Sequence, residues 1–224
     1  MDIYNSDGSR ARMCGNAARC VAKYVCDNGL TDKSLISLET PGGIKYIDIY
    51  KENGKVVSAR VNMGAPILKS RDIPALFDSD TVIDLPLKVG EKSYRVTCLS
   101  MGNPHCVVFS NDADSVNIQK TGPEFENHPA FPDRINTEFV QPLSGSHIKM
   151  RVWERGAGET LGTGACAAAA ACILNGYCKR DTDITVTLRG GELSVNWSAD
   201  GAVYLTGPAA TVFTGEIACC GGAR

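Results

Sequence analysis

The sequence lacks a long apolar stretch: its longest run of small apolar residues, Ala165 to Leu174, stops far short of the ~20 residues needed to span a bilayer. No secretory leader is expected in this stretch, because Met1-Asp2-Ile3-Tyr4 offers neither a basic start nor an apolar segment after it. Blocks of like charge are absent, and 23 Lys and Arg against 25 Asp and Glu leave a net charge of -2. Neither nucleic acid nor an anionic membrane is therefore expected as a partner. These absences predict a cytoplasmic chain. Ten cysteines are present, but no C-x-x-C pair is among them, which excludes the common zinc frameworks. Two groups, Cys14/Cys20/Cys26 and Cys166/Cys172/Cys178, repeat every six residues. That step turns a helix by about 600°, so neighbouring thiols do not share a face. Most of the cysteines are expected to be small core residues in a reducing compartment.

What is present is an ordinary globular composition, 43% hydrophobic and 21% charged over 224 residues, and an internal repeat. GNAARCVAKYVCDNG at 15–29 aligns without gaps on GTGACAAAAACILNG at 162–176. Gly15/Gly162, Ala18/Ala165, Ala22/Ala169, Asn28/Asn175 and Gly29/Gly176 coincide. Each segment opens on glycine, is rich in small helix formers and closes on Asn-Gly, so each is expected to be a helix of three to four turns. The second is apolar all round, which predicts a buried central helix.

The segments after the two helices match as well. Ser34–Glu39, Ile44–Tyr50 and Val56–Asn62 alternate in polarity and are separated by Pro41-Gly42-Gly43 and Asn53-Gly54. Asp183–Leu188, Glu192–Trp197 and Ala202–Leu205 do the same around Gly190-Gly191 and Asp200-Gly201. Both read as antiparallel meanders. Strands are also expected at Tyr94–Leu99, Cys106–Ser110 and Ile148–Trp153. The resulting fold class is α+β, in two similar halves, each a mostly antiparallel sheet wrapped around a central helix. The first half is assigned to residues 1–64, joined by a C-terminal strand over 210–217. The second half, with the linker, is assigned to 65–209.

Two glycine-led helix starts facing one seam make a place for an anion, because the first amides of a helix are unpaired and its dipole is positive there. A carboxylate between Gly15-Asn16 and Gly162-Thr163 could bond to both. Cys14 stands just ahead of the first helix, where the same field favours a thiolate. Packing as a bystander is the plainer alternative, and the polar turn Asn5-Ser6-Asp7-Gly8-Ser9 just upstream favours the reactive role.

Asn5-Ser6-Asp7-Gly8-Ser9 followed by Cys14-Gly15-Asn16 and Arg19-Cys20 resembles the first signature of the diaminopimelate epimerase family. Ser100-Met101-Gly102-Asn103-Pro104-His105-Cys106, Arg134-Ile135-Asn136 and Glu154-Arg155-Gly156-Ala157-Gly158-Glu159-Thr160 are similar to its later motifs, so the likeness runs from about Tyr4 to Ile217. The resemblance implies interconversion of LL- and meso-diaminopimelate, in the supply of lysine and peptidoglycan precursors, without pyridoxal phosphate, other cofactor or metal. A thiolate takes the α-proton from one face and a thiol returns one from the other, which inverts the carbon. Carried over, Cys14 is one of these two cysteines, and His105 and Glu154 are cleft residues that orient the reacting amino group. Gly15, Asn16, Gly162 and Thr163 hold the reacting carboxylate, where helix-end amides stabilise the developing charge. Asn5, Asn103, Asn136 and Arg155 hold the distal end of the substrate. Phe213 falls where the family has an aromatic residue at a homodimer interface, although core packing explains it equally well.

The pattern departs from the family at three places. The family's Ala-Cys, expected between Leu161 and Gly162, is absent, and the repeat sets Cys14 opposite Leu161. Cys166 lies opposite Arg19, one turn inside the expected helix, and is not read as a substitute. About sixty residues that precede Asn5 in the family are missing, so the first half is expected to be truncated, and the final Cys219-Cys220-Gly221-Gly222 does not resemble the family's last strand. The alternatives are a non-catalytic protein that binds diaminopimelate and a racemase of another amino acid. A third, a dinucleotide enzyme, is prompted by Gly156-x-Gly158-x-x-x-Gly162 between a strand and a helix, but that spacing is one residue off the fingerprint.

Overall fold

In the computed structural model, residues 1–4, 8, 10, 11 and 13–216 are described. Asn5 and the stretch from Ile217 onward, including Cys219 and Cys220, lie outside them. Strands β1 (Ile3–Tyr4) and β2 (Arg10–Ala11) pair as a small separate ribbon.

Helix α1 (Gly15–Asp27) stops at Asn28, and Gly29 follows at φ 70°, the left-handed turn that ends many helices. The meander after it forms as the alternation requires: β3 (Leu35–Thr40), β4 (Gly43–Glu52) and β5 (Lys55–Gly64). Asn53 and Gly54 both take positive φ, which a two-residue hairpin turn demands. Ile47, Ile49, Val56, Ala59 and Val61 on the inner face close over Ala18, Ala22 and Cys26 of α1. Small residues on the helix let it lie close to the strands, while Cys20 and Tyr24 face outward.

The chain continues through β6 (Val82–Val89), β7 (Lys92–Ser100), β8 (Pro104–Phe109), β9 (Asn136–Ser144), β10 (His147–Glu154), the short β11 (Gly158–Thr160), β12 (Ile184–Leu188), β13 (Gly191–Trp197) and β14 (Val203–Pro208). Among the described residues the strands join one sheet in the order β3-β4-β5-β14-β13-β12-β10-β9-β8-β7-β6, with β11 added on β10. Only β8 with β9 and β10 with β12 run parallel within it. The chain is thus α+β, a mostly antiparallel sheet that curls around two helices. The helix expected to be apolar and buried is so: every residue from Ala165 to Cys172 of α3 (Ala165–Leu174) is buried.

Three features differ from the sequence reading. No strand forms over 210–216, the described part of the expected 210–217 strand; β14 makes the junction itself by pairing with β5. The stretch expected as linker, Ala65 to about Leu87, already contains the start of β6, which begins at Val82. Helix α2 (Ile118–Glu126) was hidden by its own residues, Gly122 and Pro123, both poor helix formers. Gly122 is there for contact: a Cβ would fall 2.3 Å from the Trp153 ring. No helix among the described residues is long and apolar enough to cross a membrane.

Candidate active site

A cleft of about 650 Å³ opens where the two helix starts meet the ends of β7, β8, β9 and β10. Its lining contains Cys14, Gly15, Asn16, Asn103, His105, Asn136, Glu154, Arg155, Gly162 and Thr163, which are all of the described site residues expected from the sequence except Phe213. Phe213 stands 83% exposed, away from the cleft lining. Thioethers and alkyl groups of Met63, Met101, Leu193 and Leu205 supply apolar wall.

Cys14 is the N-cap of α1, in extended conformation (φ -142°, ψ 114°), and its carbonyl accepts the Ala18 amide at 2.9 Å. Its side chain is half-buried. Neither α1 nor α3 has a side-chain cap or an acidic residue in its first turn. Both ends therefore turn uncapped first-turn amides and the positive end of the helix dipole toward the cleft, and at α3 the Glu138 carboxyl packs against the N-cap Gly164. The ends are tied together: Asn16 Nδ2 donates to the Gly162 carbonyl at 3.1 Å, and Arg19 Nη2 donates to Asn16 Oδ1 at 2.9 Å. Arg19 is buried, and Nε donates to the Pro208 carbonyl at 3.4 Å. Burial draws its guanidinium below the ordinary value, while the sulfurs of Cys20, Cys14 and Cys166 pull it back up.

The start of α3 corrects the repeat. Gly162 and Thr163 do line the cleft, but the helix begins only at Ala165, after Gly164 at φ 78°. The cause is chain length. β11 ends at Thr160, so a helix starting at Gly162 would leave Leu161 alone to make the connection. The first turn is spent as loop. Cys166 is consequently the second residue of α3, at the cleft, and not one turn inside the helix. Its thiol is buried, and burial pushes it up to about 12, with Arg19 pulling the other way. Leu161 is 67% exposed, and its carbonyl accepts the Gly190 amide at 2.8 Å. The glycine spacing that suggested a dinucleotide loop is in fact the β10–β11 hairpin, where no helix comes directly after.

The far end of the cleft is a chain of polar pairs. Asn136 Nδ2 donates to the Pro104 carbonyl at 2.8 Å, and its Oδ1 accepts the Arg155 amide at 2.9 Å. The Arg155 guanidinium reaches the Asp133 carbonyl at 2.8 Å. Glu154 accepts from the Thr160 hydroxyl. Sequence reasoning missed two buried acids. Glu126 takes the Gly156 amide at 2.9 Å and the Trp153 indole at 2.7 Å, which braces the 154–158 turn. Glu138, fully buried, contacts His105 at 2.6 Å. The signal for Glu138 was its place two residues after Asn136, on the same face of β9 and just ahead of the apolar pair Phe139-Val140.

A continuous sheet thus packs on α1 and α3, with a polar cleft at the starts of both helices. The fold matches a probable proline racemase from Agrobacterium radiobacter K84 with a TM-score of 0.72 at 14% identity, over 97% of this chain and 71% of that one. It also matches a hydroxyproline epimerase from Agrobacterium vitis with a TM-score of 0.67 at 15% identity, over 92% and 66%. At the sequence level the family model described as diaminopimelate epimerase matches residues 1–69 and 97–212. The diaminopimelate epimerase of Agathobacter rectalis is 53% identical over 97% of this chain and 79% of its own length. That of Methanococcus maripaludis strain C5 is 51% identical over the same shares. The chain belongs to the diaminopimelate epimerase family and is by descent an isomerase.

Proposed function

We propose that the cleft binds diaminopimelate with one carboxylate at the starts of α1 and α3 and its α-carbon facing Cys14. The observation that carries this reading is the convergence of two uncapped helix starts on a cleft that also holds Cys14. Amides there would take the charge that spreads into the carboxylate as the α-proton leaves. Asn103, Asn136 and Arg155 suit the distal amino-acid head, and Asn5, outside the described residues, carries the same role from the family motif. Glu154 flanks the reacting end; His105, expected to orient the reacting amino group, has both ring nitrogens engaged, Nδ1 with Glu138 and Nε2 with Asn103, and acts through Asn103 instead. The chemistry is proton transfer by a thiolate, with no cofactor, in a cytoplasmic homodimer that uses Phe213 at its interface. Its place is the supply of lysine and peptidoglycan precursors.

On this reading the site is half of a two-base machine. The residue between Leu161 and Gly162 that would act from the opposite face is not in the chain, so diaminopimelate binds but its configuration is not inverted. A second reading keeps full epimerisation, with Cys166 as the second thiol. What favours it is the position of Cys166 at the cleft as a thiol; what opposes it is burial, which disfavours the thiolate that the reverse direction would need from the same residue. Calorimetry with meso-diaminopimelate tests the binding, and proton NMR in deuterium oxide tests the chemistry. Heat should be released, and any deuterium that enters at the α-carbon should vanish in Cys14→Ala. No heat and no thermal shift would remove the assignment of substrate. Loss of LL-to-meso conversion in Cys166→Ala, where the parent shows it, would select the second reading.

A further inference from the structure

Glu138 is the least expected group in the cleft region. It sits in mid-strand, with Val107 beside it in β8 and Val152 beside it in β10, and it is 0% exposed. An isolated carboxyl in such a place costs several kcal/mol unless its bonds are satisfied, and here Oε2 has no hydrogen-bond partner among the described residues. The fold also clears space for it. A Cβ on Gly164, the N-cap of α3, would fall 2.2 Å from Oε1. The remaining contact is His105 Nδ1, 2.6 Å from Oε1, and on the other side of that ring Nε2 lies 3.0 Å from Asn103 Oδ1. Other titratable groups that act on this carboxyl are few: Glu154, and the Cys106 thiol behind it.

We propose that Glu138 is a positioning residue for the isomerase cleft: through His105 it fixes Asn103 as a donor toward the ligand. Asn103 Oδ1 accepts only if Nε2 carries a proton. The 2.6 Å contact at Nδ1 must then hold a proton of its own, on the ring with Glu138 as carboxylate or on Glu138 with the ring neutral. Burial favours the protonated acid, and the imidazole opposes it. In both states Nε2–H points at Asn103, whose oxygen is thereby occupied. The Asn103 Nδ2 group is what remains for the cleft. It can meet a carboxylate and cannot accept from an ammonium group, so the chain Glu138–His105–Asn103 selects the carboxylate of the ligand's distal end.

The inference rests on the cleft being the substrate site, but one readout is independent of any ligand. With nitrogen-15 histidine, the Nε2 of His105 should resonate as a protonated nitrogen near about pH 7 in the parent protein. It should do so in Glu138→Gln as well, whose amide can still donate to Nδ1. In Glu138→Leu, Nδ1 has no partner and the proton should redistribute between the two nitrogens. Binding of meso-diaminopimelate should weaken by about tenfold in Glu138→Leu, the worth of one buried hydrogen bond, and hold in Glu138→Gln. An unprotonated Nε2 in the parent overturns the proposal even if the leucine variant does not fold. So does a leucine variant with the parent's tautomer and affinity. If the nitrogen signals behave as stated but diaminopimelate does not bind any of the proteins, the substrate assignment alone fails.

Discussion

Asn16 and Gly162, 146 residues apart in the chain, are joined by a 3.1 Å hydrogen bond from the Asn16 amide to the Gly162 carbonyl. The bond holds the loop before α3 to the start of α1, and Arg19 stiffens it by donating to the other end of the same amide. Asn16→Asp keeps an acceptor for Arg19 but loses the donor to Gly162 and puts a negative charge at the anion site. Its thermal stability should stay close to that of the parent, while diaminopimelate affinity falls by about tenfold or more. Asn16→Ala should instead cost about 1–3 kcal/mol of stability, because it strands a buried guanidinium N–H. Melting curves and calorimetry on the two variants separate these effects.

Gly164 and Gly156 share a φ of 78° but differ in surroundings. A Cβ at Gly156 meets nothing within 4 Å, whereas at Gly164 it would overlap Glu138. Gly156→Ala should cost only the left-handed backbone penalty, about 1–2 kcal/mol. Gly164→Ala adds overpacking against a carboxylate that has no room to retreat, and should cost roughly 2–5 kcal/mol in denaturant unfolding.

Asp27 fastens the end of α1 to β5. It accepts from Lys23 Nζ at 2.6 Å and from the Val56 amide at 2.9 Å, and these two bonds hold its carboxyl below the usual aspartate value. A depressed folded-state value means the stabilisation is present above about pH 4, the unfolded value, and is lost as pH falls through the folded one. The melting temperature of the parent should therefore fall more steeply than that of Asp27→Asn on going from about pH 5 to about pH 2. Parallel acid limbs for the two proteins would show that the carboxylate contributes nothing.

The parts of the fold that were legible in the sequence are those set by local chemistry. Asn53-Gly54 can hardly be anything but a hairpin turn, and the all-apolar run of α3 can hardly be on the surface. The start of α3 was misread because Gly162 aligns on Gly15 so well; what decides it is the length of chain left after β11, a property of the tertiary path. Helix α2 was missed because Gly122 serves Trp153, a residue far along the chain. The cleft residues were readable where a motif or a helix start singled them out. Glu126 and Glu138 were not, because their meaning lies in a turn amide and an imidazole that only the folded sheet brings to them.

As proposed above, the cleft is a diaminopimelate site with one working thiol, at Cys14, and no partner on the opposite face. The most direct test restores the partner by inserting Ala-Cys between Leu161 and Gly162, then tracks LL- to meso-diaminopimelate conversion in the parent and the insertion variant. Both proteins should bind, only the insertion variant should convert, and Cys14→Ala should abolish that conversion. Conversion by the parent at the rate of the insertion variant would contradict this reading.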